Sequence, residues 1–326
     1  MSRVRVGVWG VGTWGEKHAR VYRSLEEAAL VGVYDRDPGR AAEVAGRYAT
    51  RAFATPEALL EACEAVSVAT ATVAHRAAVE QAVAAGRHVL VEKPMAATLA
   101  EAEAMRAAAA RASVRLQVGQ VERFNPALLA ARPHVRRPMF IEAHRLALFQ
   151  PRSLDIDVVF DLMIHDIDAV LDCVGSAPDT ISAVGVAVLS GNEDIANARL
   201  EFADGCVANL TASRVSQERL RRIRFFQADA YLSVDLLDKS ADLLRVDPAR
   251  FRADAPHEAI ARSRLAVGAG EPLTLELAAF LRSLRGEDAG AASAEAGCLA
   301  LGVAEAVRAE MKRRTLSWTT RTSAAS

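Results

Sequence analysis

Cysteine is scarce and scattered in this chain. Cys63, Cys173, Cys206 and Cys298 form no Cys-x-x-Cys pair and have no histidine cluster beside them. That argues against a zinc site or a disulfide framework and suits a reducing cytoplasm. Neither sign of charge is in excess, with 40 Lys and Arg against 41 Asp and Glu and a formal net charge of −1. Without a basic surplus, neither nucleic acid nor an anionic membrane is expected as a partner. Long apolar runs are also missing, none approaching the roughly 18 residues that a membrane-spanning helix needs. The first apolar run begins at Val4, too early for a signal peptide, and we expect none. What is present is the composition of a soluble protein, 51% hydrophobic and 25% charged over 326 residues. That length supports two domains, each with its own core.

The most informative stretch comes first. Val4 to Trp9 is an apolar strand that runs into Gly10-Val11-Gly12-Thr13-Trp14-Gly15, after which the pattern to Ser24 is helical. Strand, glycine turn and helix in this order hold a dinucleotide pyrophosphate. Gly10 permits the tight turn, Gly12 lets the phosphates approach the backbone, and Gly15 lets helix and strand pack closely. The helix start offers free N–H groups and a partial positive charge to the anion. Thr13 and Trp14 open that helix and join the glycines in the expected cofactor-binding set. A second apolar run, Ala29 to Tyr34, ends on Asp35, twenty residues after Gly15, where a carboxylate takes the ribose hydroxyls. A 2′-phosphate beside it would feel repulsion of about 4 kcal/mol per unit-charge pair at ~4 Å and an effective dielectric near 20, roughly a thousandfold in affinity. The expectation is therefore NAD, with NADP disfavoured. Arg36 works the other way, since it can bind the phosphate or stack on adenine.

From Asp35 to about residue 120 strands and helices alternate in short periods, which predicts a parallel sheet covered on both faces. Asp37-Pro38 starts a helix, Thr55-Pro56 places a cap and an N1 proline before another, and Thr98-Leu99-Ala100-Glu101 is a capping box. Ala65–Ala69, His88–Val91 and Val114–Val118 read as strands. The fold class is thus α/β, with a doubly wound Rossmann domain over residues 1–120 and a substrate-binding and oligomerisation domain over residues 121–326. The glycine fingerprint followed by His18, together with Glu92-Lys93-Pro94 at a strand's carboxyl end, resembles the Gfo/Idh/MocA family of sugar and inositol dehydrogenases. The resemblance implies that Lys93 lies beside the nicotinamide and hydrogen-bonds the reacting hydroxyl, with Glu92 and Lys93 among the cofactor contacts. Independently, the carboxyl ends of the strands are where ligands bind in open α/β sheets.

After Gln120 the alternation stops. Met139–Leu146 reads as a strand and Asp155–Leu171 as a helix, on which Asp157, Asp161, His165 and Asp168 fall at i, i+4, i+8 and i+11. That is one narrow stripe on an otherwise apolar girth. Buried carboxylates are unfavourable unless paired, so the stripe is expected to face a polar cavity, partners or solvent. Asp161-x-x-x-His165 resembles the family's catalytic pair, which implies proton chemistry by His165 and Asp161 together with Lys93. Asp166 and Asp168 are expected only to orient the helix or to make capping contacts.

Further on, strands predominate. Ala196–Phe202 and Cys206–Ala212 pair through Ala203-Asp204-Gly205. Only a three-residue loop with Gly205 left-handed aligns Ala198 and Leu200 with Leu210 and Ala208. Thr180–Leu189 is apolar on both faces, and a sheet of that kind needs a second cover, so we expect a homodimer or homotetramer through it. Leu273–Leu284 and Ala294–Lys312 read as the last helices. The second domain is therefore expected to be α+β, with a large and mostly antiparallel sheet.

Arg214, Arg219, Arg221, Arg222 and Arg224 form a basic run. It reads first as a solvated strand edge and second as an anchor for a negatively charged substrate moiety. The segments Val118–Pro126, Asp157–Asp168 and Phe225–Ser233 resemble the subgroup that oxidises the 3-hydroxyl of UDP-N-acetylglucosamine. That resemblance implies substrate contacts from Arg123, Asn125, Arg152, Asp161 and His165, with the arginines on diphosphate or sugar. The alternatives are an inositol or free-aldose dehydrogenase of the same family, and a non-catalytic NAD-binding regulator.

Overall fold

The computed structural model describes residues 3–150, 156–287 and 289–323. The chain divides into two compact units, Met1–Phe124 with Gly270–Leu301, and Asn125–Ala269 with Gly302–Ser326. In the first unit β1 (Val4–Trp9), β2 (Ala28–Tyr34), β3 (Arg51–Ala52), β4 (Ala65–Val68), β5 (His88–Glu92) and β6 (Leu116–Gly119) form a parallel sheet in the order β6-β5-β4-β1-β2-β3. Between them run α1 (Thr13–Ser24), α2 (Pro38–Arg47), α3 (Pro56–Ala62), α4 (His75–Ala84) and α5 (Leu99–Arg111). The expected caps set the helix starts. Asp37 Oδ1 accepts from the Gly39 and Arg40 amides, Thr55 Oγ1 from Ala58, and Thr98 Oγ1 from Glu101, whose carboxylate accepts in turn from the Ala97 amide. Val6, Val8, Val66, Val68, Val89 and Val91 are fully buried, as strands covered on both faces must be. The strand order reverses between β1 and β4, which puts the glycine loop at the switch point where dinucleotides bind.

The second unit carries β7 (Phe140–Leu146), β8 (Thr180–Val186), β9 (Ile195–Glu201), β10 (Val207–Ser213), β11 (Leu220–Phe226), β12 (Ala230–Asp235), β13 (Ser240–Val246) and β14 (Ile260–Arg264). They form one sheet, β14-β13-β12-β11-β7-β10-β9-β8, in which β7 and β10 pair in parallel and the other neighbours are antiparallel. The hairpin has the expected register, Ala198 opposite Leu210 and Leu200 opposite Ala208, with Gly205 at φ +87°. Ala143, Ala183, Ala198, Leu210, Ile223 and Val234 form a buried face, against which α6 (Pro126–Ala131) and α7 (Ile164–Val174) pack. The opposite face corrects the apolar reading taken from β8. There Arg224 meets Glu142 and Arg222 meets Asp235, each at 2.8 Å, and Asn197 donates to Thr211. Period-two alternation on β7, β9 and β11 sends charged residues to that side. Apolar groups on it include Val184 and Val186, both exposed, and the adjoining, mutually tilted rings of Phe140, Phe226 and Tyr231.

The chain then returns to the first unit. α8 (Pro272–Ser283) and β15 (Ala292–Ser293), which pairs antiparallel with β6, belong there, while α9 (Ala294–Ser323) starts in the first unit and ends in the second. This differs from the single boundary expected after residue 120. Leu273, Leu277, Phe280 and Leu281 of α8 are buried in the same core as Val6, Val8 and Leu90. An amphipathic helix does not show in its sequence which of two cores it joins.

Candidate active site

The glycine loop is shaped for a ligand. Gly10 has φ +87°, and a Cβ on Gly15 would overlap the Gly10 carbonyl oxygen, so both positions need glycine on internal grounds. Gly12 is different, because a Cβ there meets no protein atom within 4 Å. No protein atom therefore requires glycine at that position. Thr13 and Trp14 are exposed at that start, with Lys17 Nζ 4.3 Å from the centre of the Trp14 ring. Asp35 stands at the end of β2, its Oδ2 accepting from the Val11 amide at 2.7 Å and its Oδ1 from the Asp37 amide at 3.0 Å. A carboxylate has about four lone-pair directions, so this fixed group still has capacity for ribose hydroxyls. Arg36 next to it is exposed.

At the end of β5, Glu92 is engaged inside the unit. Its Oε1 lies 2.8 Å from Nε2 of the fully buried His18, and its Oε2 accepts from the Lys93 amide at 3.3 Å. A Cβ on Gly119 would come within 2.8 Å of that carboxylate, so the glycine makes room for it. Lys93 is half-buried and joined to Pro94 by a cis peptide bond. His75, which the sequence reading missed, supports this turn. Its Nδ1 is 3.0 Å from the Pro94 carbonyl oxygen and its Nε2 3.1 Å from that of Thr70. Burial pushes its pKa down, and the carbonyls of Thr70 and Pro94 push the other way. A neutral ring can donate to only one of the two carbonyls. Its sequence signal was only that of a lone histidine on an apolar helix.

In the second unit the helix carrying Asp161 and His165 begins with a π-turn, Val159–Met163, and continues as α7. A π-turn fits an extra residue into one turn and is frequent at functional sites. It rotates what precedes it relative to α7, so the expected stripe of four splits. Asp157 is buried, and its Oδ1 caps the start by accepting from the Val159 and Phe160 amides. Burial raises its pKa, opposed by the Phe160 amide and by Arg308 at 4.0 Å. Asp168 is 2% exposed, whereas Asp161 and His165 are half-buried. Asp166 is fully employed in fixing α7, held by the buried Arg145 through two bonds of 2.8 Å, Nε to Oδ2 and Nη2 to Oδ1.

A cavity of about 250 Å³ opens beside the π-turn, lined by Asp161, Leu162, Leu237, Arg214, Arg219 and Arg221 among others. Three arginines of the basic run therefore stand with Asp161, while Arg222 and Arg224 form the ladder on the other face. Strand parity carried that signal, because on β11 Arg221 shares its side with the buried Ile223 and Phe225. Arg214 is itself buried. It donates to Asp194 Oδ1 at 2.8 Å, to the Ser190 hydroxyl at 3.0 Å and to the Ile156 carbonyl at 2.9 Å, which ties down the residue before Asp157. Burial alone would raise the Asp194 pKa. The Ser190 hydroxyl, the Ser190 and Leu189 amides and Arg214 outweigh it and hold the carboxyl well below the usual range.

One expected substrate contact has its side chain engaged within the fold. Asn125 is buried, its Oδ1 capping α6 through the Ala127 amide at 3.1 Å and its Nδ2 donating to the Leu236 carbonyl at 3.0 Å. Asn-Pro at a helix start is a capping pattern. Arg123 lies in a short 3₁₀ turn of the first unit, Val121–Phe124, and is half-buried. Arg152 lies outside the described residues.

Comparison with known proteins agrees with this fold. The profile of the Gfo/Idh/MocA oxidoreductases, a family with an NAD-binding Rossmann fold, matches residues 4–120, and that of the family's C-terminal domain matches residues 128–232. UDP-N-acetylglucosamine 3-dehydrogenase of Acidithiobacillus ferrooxidans is 44% identical over 241 residues, 74% of this chain and 76% of that one. Its crystal structure superposes with a TM-score of 0.88 over 96% of this chain and 99% of that chain, at 37% identity. An inositol 2-dehydrogenase from Acidothermus cellulolyticus is 34% identical over 178 residues, 51% of this chain and 52% of that one. Two matched domains and a relative of this identity over most of its length establish that the chain belongs to the Gfo/Idh/MocA family of oxidoreductases.

Proposed function

We propose that this chain oxidises the 3-hydroxyl of UDP-N-acetylglucosamine, or of a closely related nucleotide sugar, to the 3-keto sugar with NAD. The observation that supports the reading most is the similarity to the Acidithiobacillus ferrooxidans enzyme across 96% of this chain. Lys93, Asp161 and His165 accompany it. NAD, when bound, supplies the hydride acceptor. The glycine loop and the free amides of α1 receive the pyrophosphate, with Thr13 and Trp14 at its margin. Asp35, held by the Val11 and Asp37 amides, takes the ribose hydroxyls and repels a 2′-phosphate, so NAD is preferred over NADP. Lys93 donates to the reacting hydroxyl oxygen and offsets the charge that grows on it. His165 takes the hydroxyl proton, and Asp161 orients the sugar. Acid–base help of this kind is worth roughly 10²–10⁴-fold. Arg123 is assigned to the diphosphate or the sugar.

We also assign a homodimer or homotetramer that uses the sheet face opposite α6 and α7. Among the described residues no helix is long and apolar enough to cross a membrane. None of the four cysteines, all among the described residues, is in a disulfide, which suits the cytoplasm. The test is NADH formation, followed by its ultraviolet absorbance, with NAD and a panel of UDP-N-acetylglucosamine, its uronic acid form, myo-inositol and free aldoses. Turnover confined to the UDP-sugars is the expected result. Turnover of inositol or an aldose instead would overturn the substrate assignment, and NAD binding with no turnover of any sugar would replace the enzyme by a regulator.

A further inference from the structure

We propose that the arginine wall of the second unit's cavity is a phosphoryl site, with Arg219 and Arg221 as the residues that select a phosphorylated sugar over a neutral one. The inference rests on the nucleotide-sugar reading and deepens it. The cavity is lined by groups of both signs. Arg214, Arg219 and Arg221 contribute guanidinium groups, the π-turn contributes one carboxylate from Asp161, and Leu162 and Leu237 provide apolar surface. A neutral polyol has no use for two guanidinium forks on one wall. A phosphoryl group does, because its oxygens accept paired N–H donors in that geometry. Close approach of a phosphoryl group to Asp161 is repulsive, so the arginines are the lining groups that take the anion.

The three arginines divide the work. Arg214 is committed to Asp194, Ser190 and the Ile156 carbonyl and gives the wall its shape. Arg219 is exposed on the turn before β11 and makes no ion pair among the described residues, which leaves its donors for a ligand. Arg221 lines the cavity from the second residue of β11, on the same side as the buried Ile223. At about 250 Å³ the cavity is below the roughly 300–1,000 Å³ of pockets that enclose drug-sized ligands. It takes a sugar with its adjoining phosphoryl group, and the remainder of a nucleotide sugar extends beyond it.

The experiment has two arms on the full chain. The first measures pyrophosphate binding by calorimetry for the wild type, Arg219→Ala, Arg219→Lys and the double variant Arg219→Ala/Arg221→Met. The second measures KM and kcat for UDP-N-acetylglucosamine, glucose 6-phosphate and N-acetylglucosamine in the same proteins. Arg219→Ala is expected to weaken pyrophosphate binding and raise KM for the UDP-sugar roughly ten- to a hundredfold with kcat nearly unchanged. Arg219→Lys, which keeps the charge but not the fork, is expected to recover part of both. Because Arg219 is exposed, its replacement leaves folding intact. Pyrophosphate binding that is lost in Arg219→Ala, in a protein that turns over no UDP-sugar, supports the phosphoryl site and removes the substrate reading alone. Turnover of the UDP-sugar with KM and pyrophosphate binding unchanged in both Arg219→Ala and the double variant overturns the phosphoryl site and keeps the substrate reading. Equal turnover of glucose 6-phosphate and the UDP-sugar assigns the selection to the phosphoryl group itself. Equal efficiency on N-acetylglucosamine overturns the proposal.

Discussion

α1 and the helix that leads into α7 both begin at residues assigned to the site, and they begin in opposite ways. α1 starts at Gly12 with no side-chain cap, so its first amides are free for an anion. The π-turn starts under Asp157, whose carboxylate takes the Val159 and Phe160 amides, so that start has no capacity for a ligand anion. One start is left open to an anion, and the other fixes side chains. Position therefore has to be set by different means in the two places: by backbone shape at Gly10 and Gly15, and by ion pairs around Asp166 and Asp194.

The largest expected effect bears on the side chains that are held. Lys93→Met or His165→Asn should lower kcat by roughly 10²–10⁴-fold and leave NAD affinity nearly unchanged; a loss of NAD affinity in titrations would show that the roles are misassigned. Next comes the seat of α7. Arg145→Met leaves Asp166 buried without its partner and should destabilise the protein by about 3–5 kcal/mol in urea unfolding. A drop below about 1 kcal/mol would mean that the pair does not hold the helix. The glycine loop provides the contrast. Gly15→Ala collides with the Gly10 carbonyl and should lose both stability and NAD binding. Gly12→Ala, with open space around its Cβ, should keep its urea midpoint within about 0.5 kcal/mol while NAD affinity falls.

Acid should separate the two kinds of start further. The Asp194 pKa is depressed in the fold, so its stabilisation is complete above the unfolded-chain value of about 3.9 and is lost as pH falls below it. Thermal unfolding of the wild type should weaken from about pH 4 downward, with a shallower slope in Asp194→Asn. The smallest effect is expected at Asp157, whose raised pKa marks a desolvated charge. Asp157→Asn keeps a capping oxygen and should alter neutral-pH stability by no more than about 1 kcal/mol. A larger loss would give the charge itself a role.

What could be read from the sequence was local. The glycine fingerprint, the caps at Asp37, Thr55 and Thr98, and the register through Gly205 depend on backbone conformations that few residues satisfy, and all took the expected form. The features that escaped depend on partners far along the chain. Asp166 and Asp161 look alike in sequence, and nothing local shows that Arg145, 21 residues upstream, holds Asp166. The π-turn leaves no signature in an apolar run. β14 has all five residues exposed, so it offered no alternation to detect. Arg219 and Arg221 were read within a charge run whose members the sheet sends to different faces.

The return of α8 bears on the order of events during synthesis. The first unit's core includes Leu273, Leu277, Phe280 and Leu281, so its six parallel strands are translated well before the helix that completes their packing. At roughly 5–20 residues per second, the ribosome takes on the order of ten seconds or more to reach that helix. During that interval the nascent Rossmann sheet carries an uncovered apolar patch, while the whole second sheet emerges ahead of its missing cover.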